Sequence, residues 1–80
     1  MTVGEALRLR IIELCNSRNI TVNKLATISG VTQSTLSNII SERNNSATVS
    51  TVKKICDGLE MTITEFFTSE IFENLEQEIK

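Results

Sequence analysis

The sequence has no histidine, proline, tryptophan or tyrosine, and only three glycines and two cysteines among 80 residues. Without histidine, the commonest general base and metal ligand is missing. Cys15 and Cys56 each lack a second cysteine close by, which excludes a zinc knuckle. Both thiols read most simply as small buried side chains in a reducing compartment, with a disulfide as the alternative. No apolar run approaches the roughly 20 residues that span a bilayer. The opening Met1–Glu5 stretch lacks the basic-then-apolar layout of a signal peptide, so a cytoplasmic protein is expected. There is no glycine-rich phosphate loop, no metal-ligand cluster and no nucleophile beside an evident base. Neither catalysis, nor a cofactor, nor a metal, nor a membrane partner is therefore expected.

What is present is a globular mixture, 40% apolar and 22% charged, short enough for one compact unit with one core. Scarce helix breakers favour an all-α chain. The net charge of −2 divides unevenly. Up to Leu59, seven basic side chains (Arg8, Arg10, Arg18, Lys24, Arg43, Lys53, Lys54) outnumber four acidic ones (Glu5, Glu13, Glu42, Asp57). Residues 60–80 carry six glutamates against Lys80 alone. A basic body therefore precedes an acidic tail.

Threonines announce the helix starts. Thr2 and Glu5 fit a capping box, followed by a helical stripe of Val3, Leu7, Ile11, Leu14 and Cys15 that predicts a first helix over about 3–18. Thr21 caps a short second helix carrying Val22, Leu25, Ala26 and Ile28, and Ser29-Gly30 stops it. Thr32 opens a third helix, assigned 32–42, with Leu36, Ile39 and Ile40 inward. Thr48 or Ser50 opens a fourth with Val49, Val52, Ile55, Cys56 and Leu59 inward, its end weakened by Gly58. Thr62 and Glu65 form a second capping box ahead of Ile63, Phe66 and Phe67. Ser69 then caps a last amphipathic helix with the stripe Ile71, Phe72, Leu75 and Ile79.

The informative segment is 22–40, which reads helix, Gly-Val turn, helix. Ala26 is small where two helices cross, Gly30 supplies a positive φ, Val31 plugs the corner, and Leu25, Leu36 and Ile39 fill the wedge. Such a turn leaves the second helix of the pair free on one face, which a DNA major groove can accept.

From about Leu7 to Phe67 the sequence resembles the Cro and phage-repressor type of helix-turn-helix domain, the XRE family. The likeness is carried by the runs Ile20-Thr-Val-Asn-Lys-Leu-Ala26, Ser29-Gly-Val-Thr-Gln-Ser-Thr-Leu-Ser-Asn-Ile39, Thr51-Val-Lys-Lys-Ile-Cys-Asp-Gly-Leu59 and Met61-Thr-Ile-Thr-Glu-Phe-Phe67. The resemblance implies an all-α, compact five-helix lambda-repressor-like domain over 1–68. Residues 69–80 add the C-terminal acidic amphipathic helix as part of the same unit.

It implies a bacterial or phage transcriptional regulator, usually a repressor, working as a homodimer on a palindromic operator in double-stranded DNA and associated with the nucleoid when bound. Base reading would fall to Gln33, Ser34, Ser37 and Asn38, and phosphate contact to Asn23, Thr32, Arg43 and Asn45. The chemistry suits these places. Gln33 and Asn38 can pair with adenine N6 and N7, the serines can meet several bases, Asn23 and Thr32 can reach phosphate oxygens at the positive ends of their helices, and Arg43 and Asn45 offer a charge and an amide on the following loop. The plainer alternative for a polar helix face is simple solvation.

The sequence departs from the family pattern at Val22, where relatives carry a phosphate-holding glutamine. It departs again at Cys15 and Ile40, where relatives pair an arginine with a glutamate, and at Glu42 and Ala47, where glycine and proline are common.

The stripe Ile71, Phe72, Leu75 and Ile79 must cover something, either the chain's own core near helix one or a dimer seam. The rival function on the same scaffold is an antitoxin or adaptor that binds another protein.

Overall fold

The computed structural model describes residues 1–41 and 47–79. Among these, five α-helices occur: α1 (Val3–Ser17), α2 (Val22–Ser29), α3 (Gln33–Ile40), α4 (Val49–Gly58) and α5 (Ile63–Phe67), followed by a 3-10 turn at Glu70–Phe72. Arg43 and Asn45 lie outside the described residues.

Each α-helix begins at a threonine whose hydroxyl accepts the backbone N–H three residues on: Thr2, Thr21, Thr32, Thr48 and Thr62. The hydroxyl satisfies one of the N–H groups that a helix start leaves without a partner. Both expected capping boxes form, at Glu5 and at Glu65.

Three connections share one corner of three residues. Asn19-Ile20-Thr21, Gly30-Val31-Thr32 and Glu60-Met61-Thr62 each place a left-handed residue (φ 54, 66 and 56), then an apolar residue, then the next helix cap. The apolar residue's N–H reaches back over the preceding helix end: Ile20 to Cys15 O, Val31 to Ala26 O and Met61 to Cys56 O, at 3.0, 3.1 and 3.0 Å. Ile20, Val31 and Met61 all pack against the core. This closure satisfies terminal carbonyls and turns the chain in few residues.

The three closures end on cysteine, alanine and cysteine, small side chains that are all buried. Cys15 and Cys56 are buried free thiols, and no disulfide joins them. Burial pushes both thiols up from their ordinary pKa.

The core gathers inward residues from all five helices, with Ile11, Leu25, Leu36, Ile55 and Phe66 fully buried. α1 braces the rest through three arginines. Arg8 Nε donates to Ile40 O at 2.8 Å, at the end of α3. Arg10 donates to Phe66 O at 2.7 Å and Glu65 O at 3.0 Å, at the end of α5. Arg18 donates to Leu59 O, just past α4. Cations at helix C-termini satisfy orphan carbonyls and oppose the negative end of the helix dipole.

Several expectations are corrected. α3 stops at Ile40 instead of continuing to 42, because Ser41 is extended (ψ 150) and Arg8 occupies the Ile40 carbonyl. Val49 is 76% exposed, as the first residue of α4 with no described element over it.

Among the described residues the expected C-terminal amphipathic helix is absent. Ser69 does cap, but only the three-residue turn Glu70–Phe72 follows. Glutamates 70, 73 and 76 would repel along one helix face with no cation among them, and a short helix is marginal without tertiary support. The tail is instead tied to the start of α1, with Glu76 N–H donating to Met1 O at 3.0 Å. Phe72 packs on the core and on Phe67, ring centroids 4.9 Å apart, while Ile79 is 87% exposed. Ile71, Phe72, Leu75 and Ile79 thus do not share one helical face.

Candidate nucleic-acid interface

The α2–α3 pair is held by its corner and its backing. Gly30 at φ 66 has open space where a Cβ would stand, so the left-handed backbone, not crowding, requires glycine here. Leu36 and Ile39 pin α3 from within. Behind α2, α4 approaches so closely that a Cβ on Gly58 would lie 2.5 Å from Ser29 Oγ and 2.9 Å from Ser29 Cα. Gly58 is therefore the contact that seats α4 against α2, a role its sequence context did not reveal.

With Leu36 and Ile39 inward, Gln33, Ser34, Ser37 and Asn38 are all exposed on the opposite side of α3. None is covered by other described residues. Asn23, in the first turn of α2, is brought beside the start of α3, and Gln33 Nε2 donates to Asn23 Oδ1 at 2.5 Å. Thr32 is exposed, but its hydroxyl is engaged within the cap, accepting from Thr35 N at 3.1 Å and donating to Thr35 Oγ1 at 2.8 Å. The structure thus unites Asn23, Thr32 and Gln33 at one corner, with Ser34, Ser37 and Asn38 along the adjoining ridge.

A family model describing the Cro/C1-type helix-turn-helix DNA-binding domain matches residues 10–70, which includes this whole corner. The chain belongs to that family. A solved structure, the prophage Lp1 protein 11, is similar to it at 29% identity and a TM-score of 0.82, covering 94% of this chain and 99% of that one. No curated protein sequence matches the chain.

The electrostatics of this Cro/C1-type domain differ from end to end. The first turns of α2, α3 and α4 carry no acidic residue, while those of α1 and α5 hold Glu5 and Glu65. Both glutamates are held below the usual carboxylate pKa, chiefly by accepting the backbone N–H of Thr2 and Thr62. The positive ends of α2, α3 and α4 thus carry no acid in their own first turns, an arrangement that favours an anion.

The cations are fewer than the composition suggests. Arg8, Arg10 and Arg18 are engaged with helix ends, and Lys53 pairs with Asp57 at 2.5 Å. Lys24 and Lys54 make no ion pair among the described residues. No described group of His, Cys, Asp or Glu could hold a metal ion, and no described helix is long and apolar enough to cross a membrane.

A second surface was not evident in the sequence. An apolar groove of about 440 Å³ opens between the start of α1, α4 and α5, lined by Val3, Leu7, Val49, Val52, Ile63 and Phe67 with Thr2 and Glu78 at its polar margin. Val3, Val49 and Phe67 are exposed there. Their sequence signal was an apolar residue in the first or last turn of a helix, which periodicity assigns inward whether or not anything covers it.

Proposed function

We propose that this chain is a sequence-specific transcriptional regulator, acting as a repressor, that inserts α3 into the major groove of double-stranded DNA as a homodimer on a palindromic operator. The observation that supports this most is the exposed, uncharged ridge of Gln33, Ser34, Ser37 and Asn38 on a helix pinned from behind. Amides and hydroxyls read base edges by hydrogen bonding, and an uncharged ridge makes sequence preference depend on fit. Gln33 and Asn38 would pair with adenines, and Ser34 and Ser37 would meet neighbouring bases. Asn23, Thr32, Arg43 and Asn45 would hold phosphates and set the register.

In this reading residues 1–68 form the DNA-binding unit, with 69–80 folded onto it. The protein works in the cytoplasm at the nucleoid, without cofactor and without catalysis. Two copies would present their α3 helices about 34 Å apart, matching successive major grooves. The apolar groove supports a dimer seam there better than along Ile71, Phe72, Leu75 and Ile79, because Phe72 is spent on the chain's own core. The same groove also favours a second reading, an antitoxin or adaptor that seats another protein.

Selection of bound sequences from random duplex DNA at moderate salt tests the proposal. Enrichment of a palindrome with half-sites one helical turn apart is expected. Enrichment of no sequence, with retention of a protein partner instead, would favour the adaptor.

A further inference from the structure

The groove between α1, α4 and α5 has no cover among the described residues, yet an apolar side chain stands beside it. Six large apolar side chains are exposed among those residues, and five of them belong to this patch. Val3, Val49 and Phe67 line the groove, while Met1 and Ile79 each adjoin a residue of its margin, Thr2 and Glu78. Only Ile28, on α2, lies elsewhere.

Within the patch, Ile79 is the most exposed at 87%. It follows Glu78 directly, about 3.8 Å along the backbone from a residue that lines the groove. The hydrogen bond from Glu76 N to Met1 O fixes the chain three residues earlier. The tail therefore delivers Glu78 to the margin and leaves Ile79 outside its own groove. The rest of the expected stripe is spent, because Phe72 packs on the core and Ile71 and Leu75 are half-buried.

A two-fold interface sets one surface patch against a copy of itself. A patch that offers only a hole cannot fill itself in this way, whereas a hole with a knob beside it can. We propose that the groove is filled by Ile79 of a second copy, each chain giving its Ile79 to the other's groove. This deepens, and rests on, the proposed homodimer. Glu78 is the only ionisable side chain of the lining, so the exchange brings two carboxylates together with no cation in the lining between them. Salt screens that repulsion, and association should tighten as salt is added, the reverse of DNA binding.

The full chain is followed by sedimentation equilibrium without DNA, as wild type, Ile79→Ser and Val3→Asp. Val3→Asp spoils the groove and keeps the knob, and an acid in the first turn suits the start of α1. Thermal unfolding at low and high protein concentration confirms that each is folded. Wild type is expected to dimerise, more tightly in added salt. Each variant alone is expected to raise the dimer dissociation constant about a hundredfold, since two isoleucines per dimer lose their burial. A mixture of the two variants is expected to pair about tenfold better than either alone. In it, Ile79 of the Val3→Asp chain still meets an intact groove on the Ile79→Ser chain.

A wild-type dimer indifferent to Ile79→Ser, or a mixture that pairs no better than its components, would keep the homodimer and overturn the exchange. So would an Ile79→Ser melting temperature lowered equally at every concentration, which would place Ile79 in its own groove. A wild type that stays monomeric at millimolar concentration would remove the homodimer itself, and the exchange with it.

Discussion

Gly58 and Ser29 meet at the crossing of α2 and α4, where a Cβ on the glycine would come within 2.5 Å of the serine Oγ and 3.0 Å of the Ile28 carbonyl oxygen. Two of the three nearest atoms are backbone, so rotating the serine does not make room. Gly58→Ala is expected to cost about 1 to 3 kcal/mol, the usual range for overpacking. Because α4 backs the helix-turn-helix, operator affinity should fall with it. Ser29 Oγ is also buried without a hydrogen-bond partner. Ser29→Ala should raise stability by about 1 kcal/mol, since it removes an unsatisfied hydroxyl. Urea unfolding of both variants checks the pair, and a stable Gly58→Ala would show that the crossing can open.

Glu60 and Gly30 make an opposed pair of tests. Glu60 sits at φ 56, where a side chain is strained, and Gly30 sits at φ 66 with nothing near its missing Cβ. Glu60→Gly should stabilise by up to about 1 kcal/mol, and Gly30→Ala should destabilise by about 1 to 2 kcal/mol. Thermal melts compare them. Equal and opposite signs would tie both effects to backbone geometry, whereas a neutral Gly30→Ala would show that this corner relaxes.

Stability should depend on pH at both ends of the range. Glu5 and Glu65 are held below their ordinary value of 4.5 in the folded chain. Their contribution is complete above that value and is lost as pH falls below it through the folded pKa. Cys15 and Cys56 lie above their ordinary 9.0. Their contribution is complete below that value and is lost as pH rises through the folded pKa. A plateau between these limits is expected in denaturation midpoints. The double variant Glu5→Gln, Glu65→Gln should flatten the acid limb; an unchanged limb would remove the capping boxes from the explanation.

The salt dependence of operator binding should be set by few cations per protomer. Arg8, Arg10 and Arg18 are committed to helix ends and Lys53 is paired with Asp57, which leaves Lys24 and Lys54 among the described side chains, with the proposed contact Arg43, for phosphates. At about −0.9 per neutralised phosphate, the slope of log K against log salt should be no steeper than about −3 per protomer. Lys24→Gln should reduce it by about one, and Arg8→Gln should leave it unchanged while costing about 1 kcal/mol of stability. A steep slope that Arg8→Gln removes would place α1 on the DNA.

Much of the fold was legible because its signals are local. A threonine cap, a left-handed stop and a helical stripe each act within a few residues, and five helix starts follow from them. The arginine braces were not legible, because their carbonyl acceptors lie 32 to 56 residues away. The stripe Ile71, Phe72, Leu75 and Ile79 was misread because periodicity does not register that the Met1 carbonyl competes for the same backbone. For the interface, the exposed ridge followed from where Leu36 and Ile39 point. The Asn23–Gln33 hydrogen bond depended on the angle between α2 and α3, which no spacing rule contains.

The recurring corner at Asn19, Gly30 and Glu60 bears on how quickly the molecule can assemble. Each elbow closes with partners no more than six positions apart, so three of the joints between rods can be in place before distant parts of the chain have met. Collapse then needs only the docking of prebent pieces, and refolding in the sub-millisecond to millisecond range is the natural pace for such an architecture.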